Sequence, residues 1–232
     1  CSLLFQRYVL NQAGQTALYG EWVDNQKSLE KKRHAKVKLF RQYAGQLETV
    51  NRFFSKPPHE IKILEFGMGW GYWSRMATAF GYQVHGLELA PERIEHARRL
   101  GVEVIEELPG PGAVFDFIYA NQVFEHLQEP LQSIIELSQR LKPQGIIYIR
   151  VPDARGIERA LQLNGWQPEM DAIHPLEHIN AFTRKSLCSM AAKAGFGVIQ
   201  PPLRIDLCKF WGGLKREIND RWLNTHVYFI KN

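Results

Sequence analysis

The 232-residue sequence predicts a three-layer α/β fold, with a mostly parallel seven-stranded sheet and helices on both faces. Three observations predict it. From Ile61 onward, short apolar runs alternate with stretches of helical period. The first run, Ile61 to Phe66, opens directly into three alternate glycines, Gly67, Gly69 and Gly71. The second, ending at Leu87, is closed by an acid, Glu88, 17 positions after the last glycine.

The elements follow in order. In the first third, Val37, Phe40, Tyr43, Ala44, Leu47, Val50 and Phe54 recur at three- and four-residue steps, which gives a helix one apolar face. Pro57-Pro58 stops that helix. Residues 1–56 therefore read as an N-terminal helical appendage that packs on the 57–232 domain or over its mouth. Strands are expected at 61–66, 82–88, 102–105, 115–120, 145–151, 196–200 and 226–230. Helices are expected at 72–80, 91–100, 129–141 and 183–194. Pro91-Glu92 suits the first turn of a helix, where the acid meets the positive end. Lys142-Pro143-Gln144-Gly145 reads as a break, Thr183 as a cap and Gly195 as a stop. Residues 152–182 show no clean periodicity and are rich in His, Pro, Trp and acids, as in a substrate lid.

Composition narrows the function. Hydrophobic residues make up 45% of the chain, with six Trp, enough for a substantial core. No apolar run reaches the roughly 18 residues of a membrane span, and the start lacks the pattern of a secretory signal. The first residue is not Met, so a processed chain or a piece of a longer one is expected. Three cysteines, Cys1, Cys188 and Cys208, form no regular framework and suggest a reducing, cytoplasmic setting. The net charge of +5 owes much to Lys31, Lys32, Arg33, Lys36, Lys38 and Arg41, read here as a solvated helix face.

The glycines carry the chemistry. A Cβ in a tight turn after a strand would keep the backbone from a ligand. A dinucleotide site favours G-x-G-x-x-G, with pyrophosphate on the helix N-terminus. Here the spacing is G-x-G-x-G, and Tyr72 follows. Glu65 stands two residues before the first glycine, where a carboxylate would repel pyrophosphate and suit a cationic ligand. S-adenosylmethionine, with an ammonium and a sulfonium and no phosphate, fits that charge. Glu88 is placed to accept hydrogen bonds from two ribose hydroxyls.

With these residues in hand, residues 61 to about 151 resemble a class I S-adenosylmethionine-dependent methyltransferase, of Rossmann-like fold. E-F-G-M-G-W-G matches the first motif of that superfamily, and G-L-E-L-A-P-E its acidic second-strand motif. F-D-F-I-Y-A-N-Q-V-F-E-H-L-Q-E-P followed by L-K-P-Q-G-I-I-Y-I is similar to the fourth- and fifth-strand region of the small-molecule enzymes. H-P-L-E-H-I-N-A-F-T and A-G-F resemble one broad subgroup. The resemblance implies that Gly67, Gly69 and Gly71 line the methionine part of the cofactor. It places Glu65 at the amino group, Glu88 at the ribose, Leu89 on the adenine, and Asn121 and Gln122 at the methyl-donor end. Glu106, with Glu107 adjacent, falls where an adenine-contacting acid often stands. Trp70 and Tyr72 are candidates for cation–π contact with the sulfonium; Trp73 reads as core.

A base is needed only where the acceptor loses a proton. His126, His174 and His178 are the candidates, with Glu125 and Glu177 as neighbours, and His126 and His178 are kept as the expected bases. No metal is expected. His174 and His178 are four apart, yet Pro175 interrupts a helix across them and no third ligand is evident. Some quinone-precursor O-methyltransferases, which bind a divalent cation, place a Glu three residues before the Glu-His pair, where this chain has Gln122. Asn121-Gln122-Val123-Phe124 lacks the prolines of enzymes that methylate exocyclic amines of DNA bases, and no Cys lies in that loop for cytosine C5 chemistry. A small-molecule acceptor is favoured over nucleic acid. Cys1-Ser2-Leu3-Leu4-Phe5 resembles the segment after a short zinc ribbon that precedes some sugar-modifying methyltransferases. The alternatives kept open are a catalytically inactive cofactor-binding protein, an NAD(P)-dependent oxidoreductase and an RNA methyltransferase recruited through the basic helix.

Overall fold

The chain begins with β1 (Leu4–Phe5), α1 (Gln12–Ala17), one π-helical turn (Leu18–Trp22), α2 (Asn25–Arg33) and α3 (Val37–Phe53). Then come β2 (Lys62–Phe66), α4 (Tyr72–Ala79), β3 (Gln83–Leu87), α5 (Pro91–Arg99), β4 (Glu103–Ile105), β5 (Phe115–Asn121), α6 (Pro130–Arg140) and β6 (Leu141–Arg150). The last elements are α7 (Ile157–Ala160), β7 (Asn180–Ala181), α8 (Arg184–Lys193), β8 (Phe196–Ile199) and β9 (His226–Lys231). This computed structural model describes residues 3–163, 165, 167, 172–202 and 224–232.

Seven strands form the main sheet in the order β4-β3-β2-β5-β6-β9-β8. β9 runs antiparallel to both of its neighbours, and the other pairs are parallel. The chain moves outward from β2 to β3 and β4, then crosses back to lay β5 on the other side of β2. The crevice at the carboxyl ends of β2 and β5 is thus the switch point where open α/β sheets bind ligands.

Period-two alternation sorts the core. Phe117 and Tyr119 of β5 face one side with Ile63, Tyr148, Trp73 and Ala77; Ile118 and Ala120 face the other with Leu64, Ile147, Ile134 and Leu187. The apolar face read in the first third is built into the first of these layers, through Tyr43, Leu47 and Val50 of α3. Trp73 stacks on Tyr119 at 4.0 Å and Tyr119 on Tyr148 at 5.2 Å between ring centroids. Gln46 Oε1 accepts from both the Trp73 indole and the Tyr119 hydroxyl, which satisfies the polar ends of those two rings.

The structure corrects two expectations. β6 begins at Leu141, paired with Phe115, so the Lys142-Pro143-Gln144-Gly145 break lies inside a strand. A register shift between Phe115 and Phe117 absorbs it, with Gln144 at φ 60°. The N-terminal segment is not helical throughout, because β1 pairs antiparallel with β7, Leu4 opposite Ala181. In the 152–182 stretch, α7 and β7 are the regular elements among the described residues. Cys1 and Cys208 lie outside the described residues. Among those described, no helix is long and apolar enough to cross a membrane.

Candidate active site

The glycine turn follows β2 at the switch point. Gly67, Gly69 and Gly71 all take positive φ, 73°, 56° and 74°, a region costly for any side chain. Their surroundings differ. A Cβ on Gly67 would stand 2.5 Å from Val123 Cγ2, and one on Gly71 2.8 Å from Ala97 Cβ, whereas one on Gly69 would meet nothing within 4 Å among the described residues. Gly67 and Gly71 thus let the protein pack on itself, and Gly69 faces open space. Gly86 of β3 allows Met68 to close the turn from below, since its Cβ would stand 2.2 Å from Met68 Sδ.

Both carboxylates of the sequence reading are at this turn. Glu88 Oε2 accepts from Gly69 N at 2.8 Å, and Oε1 accepts from Leu89 N at 2.9 Å and Ala90 N at 3.2 Å. Glu65 is buried, and its Oε2 accepts from the Ser74 amide at 2.9 Å and the Ser74 hydroxyl at 2.5 Å, in the first turn of α4. Burial pushes the Glu65 pKa up to about 8, against the lowering effect of the Ser74 hydrogen bonds and the Lys32 charge. A second cation beside it would hold Glu65 ionised at neutral pH.

The turn is roofed by α2, whose charge run the sequence predicts as a solvated helix face. Asn25, Ser28 and Lys32 occupy one stripe at three- and four-residue spacing and are partly buried. Ser28 Oγ accepts from the Trp70 indole at 3.1 Å, Asn25 Oδ1 accepts from Arg93 at 3.3 Å, and Arg93 lies 5.7 Å over the Trp70 ring. Lys32 Nζ reaches the Tyr43 hydroxyl at 3.4 Å; burial lowers the Lys32 pKa, and Glu65 opposes that shift. The signal for this stripe was present in the spacing, but it is polar, and apolar periodicity does not detect it.

The remaining expected cofactor residues are dispersed around the turn. Trp70 is 6% exposed and forms part of the wall beneath α2. Tyr72 stacks on His96 at 6.0 Å. Leu89 is 83% exposed at the outer rim. Glu106 is exposed and paired with Arg98 at 2.7 Å. At the end of β5, Asn121 Oδ1 is buried without a hydrogen-bond partner among the described residues, and Gln122 takes φ 59°. Such a left-handed non-glycine residue beside a ligand crevice is a strain that functional sites often carry.

Beyond Gln122 lies the second cluster. The turn Phe124–His126 and the loop before β7 are tied by Asn180 Nδ2, which donates to Leu127 O at 2.6 Å. This brings His126 and His178 together, 4.9 Å between ring centroids. His126 Nδ1 lies 2.9 Å from Glu177 O; a carbonyl can only accept, so Nδ1 carries the proton and Nε2 presents its lone pair. Burial and the neighbouring His178 lower the His126 pKa to about 4. Glu125 is fully buried, and among the described residues neither of its oxygens has a hydrogen-bond partner, with His126 Nε2 4.0 Å from Oε1; burial pushes its pKa up to about 8, against its own amide and the Arg150 charge. Ligand atoms of Glu125, His126 and His178 lie within 4.8 Å of one another. The expectation of no third donor near His178 considered His174 as its partner. The donors instead come from the β5 end, which no local spacing indicates.

A mostly parallel sheet of this order, a glycine turn with acids at the first and second strands, and a second polar cluster past the fourth strand together define a class I methyltransferase fold. Residues 33–200 match the family described as "Methyltransferase domain", and the chain belongs to it. The sequence is 29% identical over 129 residues to a malonyl-[acyl-carrier protein] O-methyltransferase of Serratia marcescens, covering 52% of this chain and 48% of that protein. It is 30% identical over 126 residues to a ubiquinone biosynthesis O-methyltransferase of Rickettsia canadensis, covering 47% and 53%. The chain thus matches about half the length of these curated relatives. In fold it is similar to the plantazolicin methyltransferase BpumL in complex with a pentazolic analog and S-adenosylhomocysteine (TM-score 0.63, 17% identity, 95% of each chain). It is also similar to an S-adenosylmethionine-dependent methyltransferase from Mesorhizobium loti (TM-score 0.55, 17% identity, 79% of this chain and 96% of that one).

Proposed function

We propose that the protein transfers a methyl group from S-adenosylmethionine to a small-molecule acceptor. The observation that carries this reading is Gly69, a left-handed glycine whose missing Cβ leaves space on the ligand side, with Glu65 and Glu88 flanking it. When bound, S-adenosylmethionine supplies a methyl on a sulfonium, open to in-line displacement by the acceptor. The chain's own part is alignment and exclusion of water. Gly67, Gly69 and Gly71 shape the cradle. Glu65 offers a counter-charge to an ammonium, and Glu88 exchanges its loop amides for ribose hydroxyls. Leu89 and Glu106 border the adenine, Trp70 and Tyr72 the wall, Asn121 and Gln122 the donor end.

In this reading His126 and His178 face the acceptor. The proton the acceptor loses as its new bond to carbon forms goes to this pair. His126, held as the Nδ1–H tautomer by Glu177 O, is a weak base and mainly an orienting acceptor. A second reading is favoured by Glu125: a divalent cation held by Glu125, His126 and His178 would satisfy its two orphan oxygens and polarise an acceptor oxygen. The three scattered cysteines support a reducing, cytoplasmic setting for the reaction.

The test is binding followed by turnover. S-adenosylhomocysteine is expected to stabilise the protein against heat where NAD(P)H does not, and tritiated S-adenosylmethionine to label a small molecule in cell extract. Stabilisation by NAD(P)H alone would replace the reading with an oxidoreductase. Binding of the methyl donor with no label transferred from any extract would replace it with a non-catalytic binding protein. Label recovered in RNA would redirect the acceptor class.

A further inference from the structure

A cavity of about 740 Å³ opens between β1, α7 and the start of α8, outside the glycine turn and the histidine cluster. Its described lining carries an excess of positive charge. Arg155, Arg159, Arg184 and Lys185 contribute four cationic side chains, against the carboxylates of Glu158 on the wall and of Asp153 beside Arg155. Arg155 is paired with Asp153, and Arg184 donates to Asn224 O at 2.9 Å, which orients both without neutralising the second. Leu4 and Cys188 give the remaining wall an apolar part. The volume lies within the range of sites for organic ligands, roughly 300–1,000 Å³, and far exceeds what a lone inorganic anion fills.

The position matters as much as the charge. Thr183, on the cavity wall, follows His178 by five residues, at most about 18 Å of extended chain. The connecting residues Asn180 and Ala181 are fixed by β1 and by Leu127 O, and Phe182 O accepts from Ala154 N. One tethered segment, 178–183, therefore links the two places along the chain.

We propose that this cavity binds the phosphorylated end of the acceptor, an organic phosphate or diphosphate whose other end reaches His178. Several guanidinium groups in one site match the paired oxygens of a phosphate, which a single lysine does not. The two positive charges left after Asp153 and Glu158 match a doubly charged phosphate better than a singly charged carboxylate. The link to the acceptor rests on the methyl-transfer reading; the affinity for phosphate does not.

The experiment is calorimetric titration of the full chain with pyrophosphate and with phenyl phosphate, at ionic strength fixed with sodium chloride. It is run on the wild type and on the Arg159→Ala/Lys185→Ala variant, with S-adenosylhomocysteine binding as the control. The expected result is an affinity for pyrophosphate at least about tenfold weaker in the variant, with S-adenosylhomocysteine binding unchanged. Equal affinity in both proteins, or heats matched by sulfate, overturns the site. Displacement of pyrophosphate by a short single-stranded RNA of equal phosphate concentration overturns the small-molecule assignment. Pyrophosphate binding without any S-adenosylhomocysteine binding keeps the anion site and removes its tie to an acceptor.

Discussion

The two halves of the switch-point crevice are finished to different degrees. On the β2–β3 side, Glu65 and Glu88 together accept five hydrogen bonds from Ser74, Gly69, Leu89 and Ala90. On the β5 side, Glu125 is buried with neither oxygen hydrogen-bonded among the described residues, and Asn121 Oδ1 is in the same state. A buried polar group without a partner costs about 1–3 kcal/mol, more when charged. The donor side is thus preorganised around its acids, while the opposite side keeps buried polar atoms that a ligand, a cation or ordered water can satisfy. Such a division suits a domain that uses one donor with a particular acceptor.

The strongest way to break the comparison is at the glycines. Gly67→Val places a branched side chain in the left-handed region and against Val123, and is expected to lower stability by about 3–5 kcal/mol, seen as a large drop in Tm. Gly69→Ala, with open space around it, costs about 1 kcal/mol of stability. Its methyl nevertheless intrudes on the ligand side, so S-adenosylhomocysteine affinity falls more than Tm does. If Gly69→Ala binds as well as the wild type, the donor side is not where the cofactor lies.

The opposite half is tested by pH. Glu125 has a folded-state pKa of about 8 against the ordinary 4.5, so the native state holds a proton that the unfolded state releases between those values. The contribution is full below about pH 4.5, declines as pH rises, and is lost through pH 8. Glu125→Gln removes this decline and is expected to raise stability at pH 8 by on the order of a few kcal/mol, with little change at pH 4.5. Glu65, also at about 8, leaves part of the slope in place. Under the cation reading, manganese or zinc raises the Tm of the wild type and not of Glu125→Gln. A variant with the wild-type slope and lower stability at pH 8 would place Glu125 among ordinary bonded acids.

What the sequence made legible was local. Gly67 to Gly71, Glu65 and Glu88 lie within one βαβ unit, where strand, turn and helix are read from neighbouring residues. The strands of the main sheet were legible for the same reason, to within a residue or two except at β6, where Pro143 and Gly145 suggested a break that a bulge accommodates. β1 and β7 escaped because two-residue strands carry no periodicity and pair across the length of the chain. The meeting of His126 with His178 depends on Asn180 reaching Leu127 O, a tertiary contact without a sequence signature. Lys32 shows a different failure: the charge run is solvated at Lys31 and Arg33, while the stripe through Ser28 turns inward.

Glu88 sharpens the donor side by a smaller amount. Glu88→Ala removes the acceptor of three amides and, in the proposed reading, both ribose hydrogen bonds. It is expected to weaken S-adenosylhomocysteine binding by about tenfold to hundredfold, since hydrogen bonds to a charged group are worth roughly 1.5–3 kcal/mol. Calorimetric titration reads this directly. The shorter nucleoside adenosine should lose a similar factor, because the contact is to the ribose; a loss confined to the methionine end would move Glu88 away from that role.

The smallest effect concerns the roof over the donor side. Ser28→Ala deletes the acceptor of the Trp70 indole while leaving Asn25, Arg93 and Lys32 in place. The expected cost is about 1 kcal/mol of stability. The informative quantity is kinetic. If α2 must lift for the cofactor to enter and leave, loosening its hold on Trp70 should speed S-adenosylhomocysteine release in stopped-flow measurements of Trp fluorescence, with a smaller change in Kd because entry quickens too. An unchanged release rate in a variant with the expected loss of stability would make α2 a fixed wall of the crevice, and would leave the open side facing Leu89 as the route in.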